Sequence, residues 1–158
     1  MRIYLTQHGL AVSKEVDRDR PLNEQGRQDV ARVAGFLGNA GIRVERVLHS
    51  GKARAEQTAA ILAGAMLSTG LPETQGGLGP KDPLEILSPE IAFWSVDTLI
   101  VGHLPYLGRL ASLLLAENPD QSLVAFQPGS MVCLEKDVEG RWLLAWMIRP
   151  ELLAPTRC

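Results

Sequence analysis

Residues 44–58, VERVLHSGKARAEQT, decide how this chain is read. Val44 to Leu48 is short, aliphatic and partly β-branched, and it predicts a strand. From about Lys52 to Leu67 the pattern changes, with Ala55, Ala59, Leu62 and Met66 recurring at helical spacing. A strand that runs into a helix through Ser50-Gly51 is half of a β-α-β unit. It also leaves free backbone N–H groups at a helix start, where the dipole favours an anion. Arg54, one turn in, can add a two-pronged guanidinium contact to a phosphate.

Working outward, the same alternation continues on both sides. Arg2 to Thr6 predicts a buried strand, and Asn23 predicts the cap of a helix that starts at Glu24. Val30, Val33, Leu37 and Ala40 keep helical spacing in it, and Gly41 marks its stop. Downstream, residues 68–90 carry scattered glycine and proline with little periodicity, and predict a long loop with a short helix near Glu90–Trp94. Thr98 to Val101 predicts a third strand, and Pro105 the first residue of a helix to Ala116. Met131 to Lys136 and Arg141 to Ile148, joined at Asp137–Gly140, predict a hairpin with Trp142, Leu144, Trp146 and Ile148 on one face. The expected fold is α/β: a three-layer α/β/α arrangement with a mostly parallel central sheet and a C-terminal antiparallel hairpin.

The 158 residues suit a single domain spanning 1–158, large enough to bury a core without disulfides or a structural metal. Apolar residues at 46% and charged residues at 22% are ordinary for a soluble globular chain and argue against disorder. The formal charge of −2 implies no polybasic face for nucleic acid. Residues 1–67 nevertheless carry ten basic and seven acidic side chains, whereas residues 68–158 carry six and eleven. The first half is therefore the better place for an anion site. Cys133 in an apolar run and Cys158 at the end make no disulfide framework, so a reduced, cytoplasmic protein is expected. No stretch predicts a signal peptide or a membrane span.

The three histidines are the most informative residues. His8 follows the first strand, His49 ends the second and His103 follows the third. In a parallel α/β sheet, ligands bind outside the carboxyl ends of the strands. His8 and His103 each adjoin a glycine, which lets backbone approach a ligand closely. His49 can face either that edge or the core. The spacings match no familiar zinc site, so neither a metal nor another cofactor is expected.

Four segments, taken in order, resemble the histidine phosphatase superfamily: Gln7-His8-Gly9, Arg20-Pro21-Leu22-Asn23-Glu24-Gln25-Gly26, Ser50 to Thr58, and Val101-Gly102-His103-Leu104-Pro105. The short length and the closing hairpin resemble its bacterial phosphohistidine phosphatase (SixA-type) branch. The resemblance implies that His8 is the nucleophile that takes up the phosphoryl group, with Arg54 and His103 as further catalytic residues. It implies a phosphate pocket formed by Gln7, His8, Gly9, Arg20, Arg54 and His103. The substrate it implies is a phosphorylated protein, such as a phosphohistidine phosphotransfer domain, or a small phosphorylated compound.

Some residues depart from the family pattern. Gln7 stands where the family has arginine, and replaces a permanent charge with a neutral amide. Losing one charge-assisted contact is worth roughly 1.5–3 kcal/mol. That leaves open a weakly active enzyme or a module that binds phosphate without turnover. Asn23 replaces a usual Ser or Thr, Gly51 a common Pro, and the stretch between Pro89 and Thr98 is short for the family's helix there. The candidate general acids are Glu73, Glu85 and Glu90 in the long loop, and Asp17 and Asp19 near Arg20. None stands in a substantial insertion, as it would for ester hydrolysis. A phosphohistidine substrate needs no such acid, because imidazole with a pKa near ~6.5 leaves readily.

Overall fold

A computed structural model describes residues 1–155; Cys158 lies outside the described residues. The elements follow in chain order: β1 (Arg2–Gln7), α1 (Glu24–Asn39), β2 (Arg46–His49), α2 (Ala53–Met66), β3 (Glu73–Thr74), α3 (Ser88–Ile91), β4 (Thr98–Gly102), α4 (Tyr106–Ala116), β5 (Met131–Lys136) and β6 (Trp142–Ile148). The six strands form one sheet in the order β3-β2-β4-β1-β5-β6. The β3-β2, β2-β4 and β4-β1 pairs are parallel, and β1-β5 and β5-β6 are antiparallel. This is the expected mostly parallel sheet with its antiparallel wing.

Burial on both faces explains why the inner strands are apolar throughout. Tyr4, Val47, Leu99 and Val101 pack toward α1 and α2, in one core with Val33, Leu37, Ala59 and Leu62. Ile3, Leu5, Leu48 and Ile100 pack on the other face with Tyr106, Leu107 and Leu110 of α4. Among the described residues, no helix is long and apolar enough to cross a membrane.

The helix signals act as expected. The Asn23 side chain accepts from Gly26 N at 2.7 Å, and Gly41 leaves α1 at φ +79°. Gly26 also brings α1 against the backbone after β1: a Cβ there would lie 2.1 Å from Leu10 O. The loop that carries His8 is thus pressed onto the start of α1. Pro105 is the N-cap of α4 and not its first helical residue.

Three expectations are corrected. Residues 68–90 are not loop throughout, because Glu73–Thr74 adds an edge strand parallel to β2. Both residues are exposed and polar, so no hydrophobic pattern marks them. The short helix expected near Glu90–Trp94 is present but lies earlier, as the four-residue α3 over Ser88–Ile91, and a 3₁₀ turn at Leu84–Ile86 precedes it. The third correction concerns β6. Cys133 pairs with Trp146 and Leu134 with Leu144, so Ala145 is an extra residue in a bulge. The bulge splits the expected face: Trp146 and Ile148 join the α1/α2 core, and Trp142 packs on the α4 side.

Candidate functional site

Strand register brings two of the histidines side by side. Gln7 of β1 pairs with Gly102 of β4, so His8 and His103 each stand one residue beyond the last paired row. His8 N donates to Gly102 O at 3.0 Å and extends the ladder by one bond. The two ring centroids are 5.0 Å apart, with the planes inclined at 52°.

The His8 ring is held at both nitrogens. Nδ1 lies 2.7 Å from Gly9 O, and because a carbonyl only accepts, Nδ1 carries the proton. Nε2 therefore keeps its lone pair, which accepts from Arg54 Nε at 3.3 Å. Burial lowers the pKa of His8 to about 4, helped by the charges of Arg54 and Arg20 and opposed by the bond to Gly9. The ring is neutral at pH 7.

His103 is buried, and its Nε2 lies 2.6 Å from Ser50 Oγ. Its Nδ1 is buried with no hydrogen-bond partner among the described residues. Burial lowers its pKa to about 3, with His8, Arg54, Lys52 and Arg20 adding to the effect. The charged side chains acting on these two imidazoles are thus all cations.

The β2–α2 turn supplies Ser50, Lys52 and Arg54. Gly51 adopts φ +89°, a conformation closed to proline, so this turn differs from one built on the family's Pro. Lys52 caps α2 without a side-chain hydrogen bond; Ala55 N donates to Lys52 O at 2.9 Å, and no side chain among the described residues caps the N–H groups of Ala53 and Arg54. Arg20, also at positive φ (49°), donates from Nε to Val12 O at 3.2 Å and lies close enough to depress His8 and Arg54.

Gln57 and Thr58 show what the rest of the Arg54–Thr58 run does. Thr58 Oγ1 accepts from Gly9 N at 3.0 Å and donates to Arg54 O at 2.8 Å, and so ties the His8 loop to α2. Gln57 Oε1 accepts from Leu22 N at 2.8 Å and holds the Arg20 loop. Neither residue was singled out from the sequence as a site residue. Their signal was the spacing of Arg54, Gln57 and Thr58, which puts all three on one side of a helix.

His49 does not join the pair. It is buried, and its Nδ1 accepts from Gly51 N at 3.1 Å, bracing the turn. Gln7 ends β1 with its Oε1 buried and without a partner among the described residues. The candidate acids Asp17, Asp19, Glu73, Glu85 and Glu90 are all exposed. Among the described residues, no three His, Cys, Asp or Glu side chains gather closely enough to hold a metal ion. An open cleft of about 620 Å³ adjoins the site, lined by Ser50, Gly51 and Lys52 and by the glycine-rich turn 75–82.

Residues 3–75 match the family model described as histidine phosphatase superfamily (branch 1). An uncharacterised protein of Picosynechococcus sp. (strain ATCC 27264 / PCC 7002 / PR-6) is 34% identical over 121 residues, 72% of this chain and 73% of that one. Phosphohistidine phosphatase SixA of Escherichia coli (strain K12) is 24% identical over 155 residues, 95% of this chain and 94% of that one. Among solved structures, the protein histidine phosphatase SixA complexed with tungstate aligns with a TM-score of 0.85 at 24% identity, covering 98% of this chain and 100% of that one.

Proposed function

The chain belongs to the histidine phosphatase superfamily, and from that premise we propose that it hydrolyses phosphohistidine on a partner protein through a phosphoryl group carried on His8. The observation that carries this reading is the fixed tautomer of His8. With Nδ1–H committed to Gly9 O, the Nε2 lone pair is the nucleophile, and it needs no base to free it.

In the first step His8 Nε2 bonds to phosphorus as the P–N bond to the substrate imidazole breaks. That imidazole departs as a neutral ring when its other nitrogen holds a proton. The positive charge that develops on His8 is stabilised through Nδ1–H at Gly9 O. Arg54 turns its donor from His8 Nε2 to a phosphoryl oxygen, and Arg20 and the uncapped N–H groups of α2 add further positive potential. In the second step water attacks phosphorus, the P–N bond to His8 breaks, and phosphate leaves. Such a transfer depends on positioning and on charge around the phosphoryl oxygens.

The cationic surroundings of the two imidazoles support a phosphohistidine over a sugar or serine ester. An alkoxide needs a proton from a positioned acid, whereas an imidazole does not. The open cleft beside Ser50 suits a phosphohistidine carried on a protein surface as well as a small phosphorylated compound.

Gln7 favours one other reading, a weakly active or non-catalytic module that binds phosphate or a phosphoprotein. One experiment separates the two. The purified protein is mixed with a phosphohistidine phosphotransfer domain, and free phosphate is measured alongside complex formation. Release that stops in His8→Ala supports the enzyme; binding without release in the wild type supports the module.

A further inference from the structure

The two imidazoles are not equally accounted for. His8 has a partner at each nitrogen, and its tautomer follows from them. His103 has one partner, Ser50, and an orphaned Nδ1. Its low pKa leaves only the two neutral forms to decide between.

If Nδ1 carried the proton, an N–H donor would be buried with nothing to accept it. If Nε2 carries it, the N–H donates to Ser50 Oγ at 2.6 Å, and only a lone pair goes unmatched at Nδ1. Buried N–H groups without acceptors are rarer and costlier than under-used acceptors. The second form is favoured. Ser50 Oγ also accepts from Lys52 N at 3.4 Å, so its two lone pairs are taken. Its hydroxyl hydrogen remains as a donor at the wall of the open cleft.

We propose that Ser50 is a positioning residue for phosphoryl transfer: its oxygen accepts from His103 Nε2–H and fixes the direction of that N–H, so that a neutral imidazole meets the phosphoryl group as an aligned donor. The inference rests on the phosphatase reading for its purpose, but not for its geometry. Without Ser50 the tautomer is still set by the orphaned Nδ1, but the Nε2–H loses the acceptor that aligns it. When substrate arrives, the Nε2–H turns from Ser50 Oγ to a phosphoryl oxygen without any proton having to move. Ser50 also couples the second histidine to the turn that carries Lys52 and Arg54, so both sides of the pocket share one brace.

The test is nitrogen-15 NMR of the imidazoles at pH 7 in the wild type, Ser50→Ala and Ser50→Thr, with kcat/KM measured on the same samples. The expected result is a protonated Nε2 on His103 in all three proteins, with the Nε2–H proton protected from solvent exchange in the wild type and Ser50→Thr and exchanging faster in Ser50→Ala. Turnover should fall about 3- to 10-fold in Ser50→Ala, the size of one neutral hydrogen bond, and return in Ser50→Thr. A protonated Nδ1 in the wild type overturns the proposal even if no variant folds. So does unchanged exchange of the Nε2–H proton in Ser50→Ala, whatever its activity. If that proton responds as expected but the wild type releases no phosphate from phosphohistidine, the positioning role is supported and the phosphatase reading is the one that fails.

Discussion

His8 and His103 are the same residue at equivalent places, one step past the ends of neighbouring parallel strands, yet their surroundings divide the work between them. His8 is gripped at Nδ1 by the carbonyl of its own neighbour, Gly9, and faces Arg54 with its lone pair. His103 is buried more deeply, its ring hydrogen-bonds only to the Ser50 hydroxyl among the described residues, and it is held neutral to a lower pH, about 3 against about 4. The strand ends supply two imidazoles 5.0 Å apart; in the proposed reaction, the loops around them decide which attacks and which donates.

The largest test of this division is to remove each ring in turn. His8→Ala should take up no label from a radioactive phosphoryl donor, because in the proposed reaction the bond to phosphorus forms on that residue. His103→Ala should still be labelled, more slowly, with the label stable in base and lost in acid as for a phosphoramidate. Equal labelling of the two variants would break the comparison outright. Next in size is Arg54→Ala. Removing one donor aimed at developing charge costs on the order of 10²–10³ in kcat. Arg54 also covers the His8 lone pair, so the loss should appear in the labelling step and not only in KM.

Gln7→Arg works in the opposite direction. It should raise kcat/KM by about 10- to 150-fold, the value of one charge-assisted contact. The buried, unpartnered Oε1 of Gln7 marks where the guanidinium would replace an unused acceptor. No gain would mean that Arg54 and the start of α2 already supply the charge that the site uses.

Much of this was legible in the order of residues. The inner strands are apolar because both faces are covered, and Asn23 and Gly41 bound α1 by capping chemistry that is local in sequence. His8 and His103 could be grouped because strand ends in a parallel sheet share an edge, and Arg54 was added to them by the family resemblance. Other features depend on partners far along the chain. Glu73–Thr74 is a strand only because β2 lies beside it. The bulge at Ala145 is defined by its register with Cys133 and Leu134, and no residue in β6 announces it. His49 ends the right strand, yet its ring turns to Gly51, and which way it faces is set by the turn. Ser50 and Thr58 sat inside a quoted motif, but their roles are hydrogen bonds to His103 and Gly9, 53 and 49 residues away.

The smallest effect sharpens the comparison most finely, because it separates the histidines by pH. Both rings titrate in the folded protein well below the ordinary value of ~6.5. Between ~6.5 and the folded values, the unfolded chain binds more protons, so stability rises with pH across that window. The contribution of His8 is complete above ~6.5 and is lost as pH falls through about 4; that of His103 continues to be lost down to about 3. Each ring contributes a slope of at most about 1.4 kcal/mol per pH unit. Urea unfolding of the wild type, His8→Asn and His103→Asn between pH 7 and pH 3 reads this directly. Either substitution should flatten the pH dependence between 6 and 5. Between 4 and 3 the flattening should be larger in His103→Asn, since His8 is by then more than half protonated in the folded state. Identical slopes for the two variants in that last unit would mean that the bond to Gly9 and the neighbouring cations do not separate the two rings.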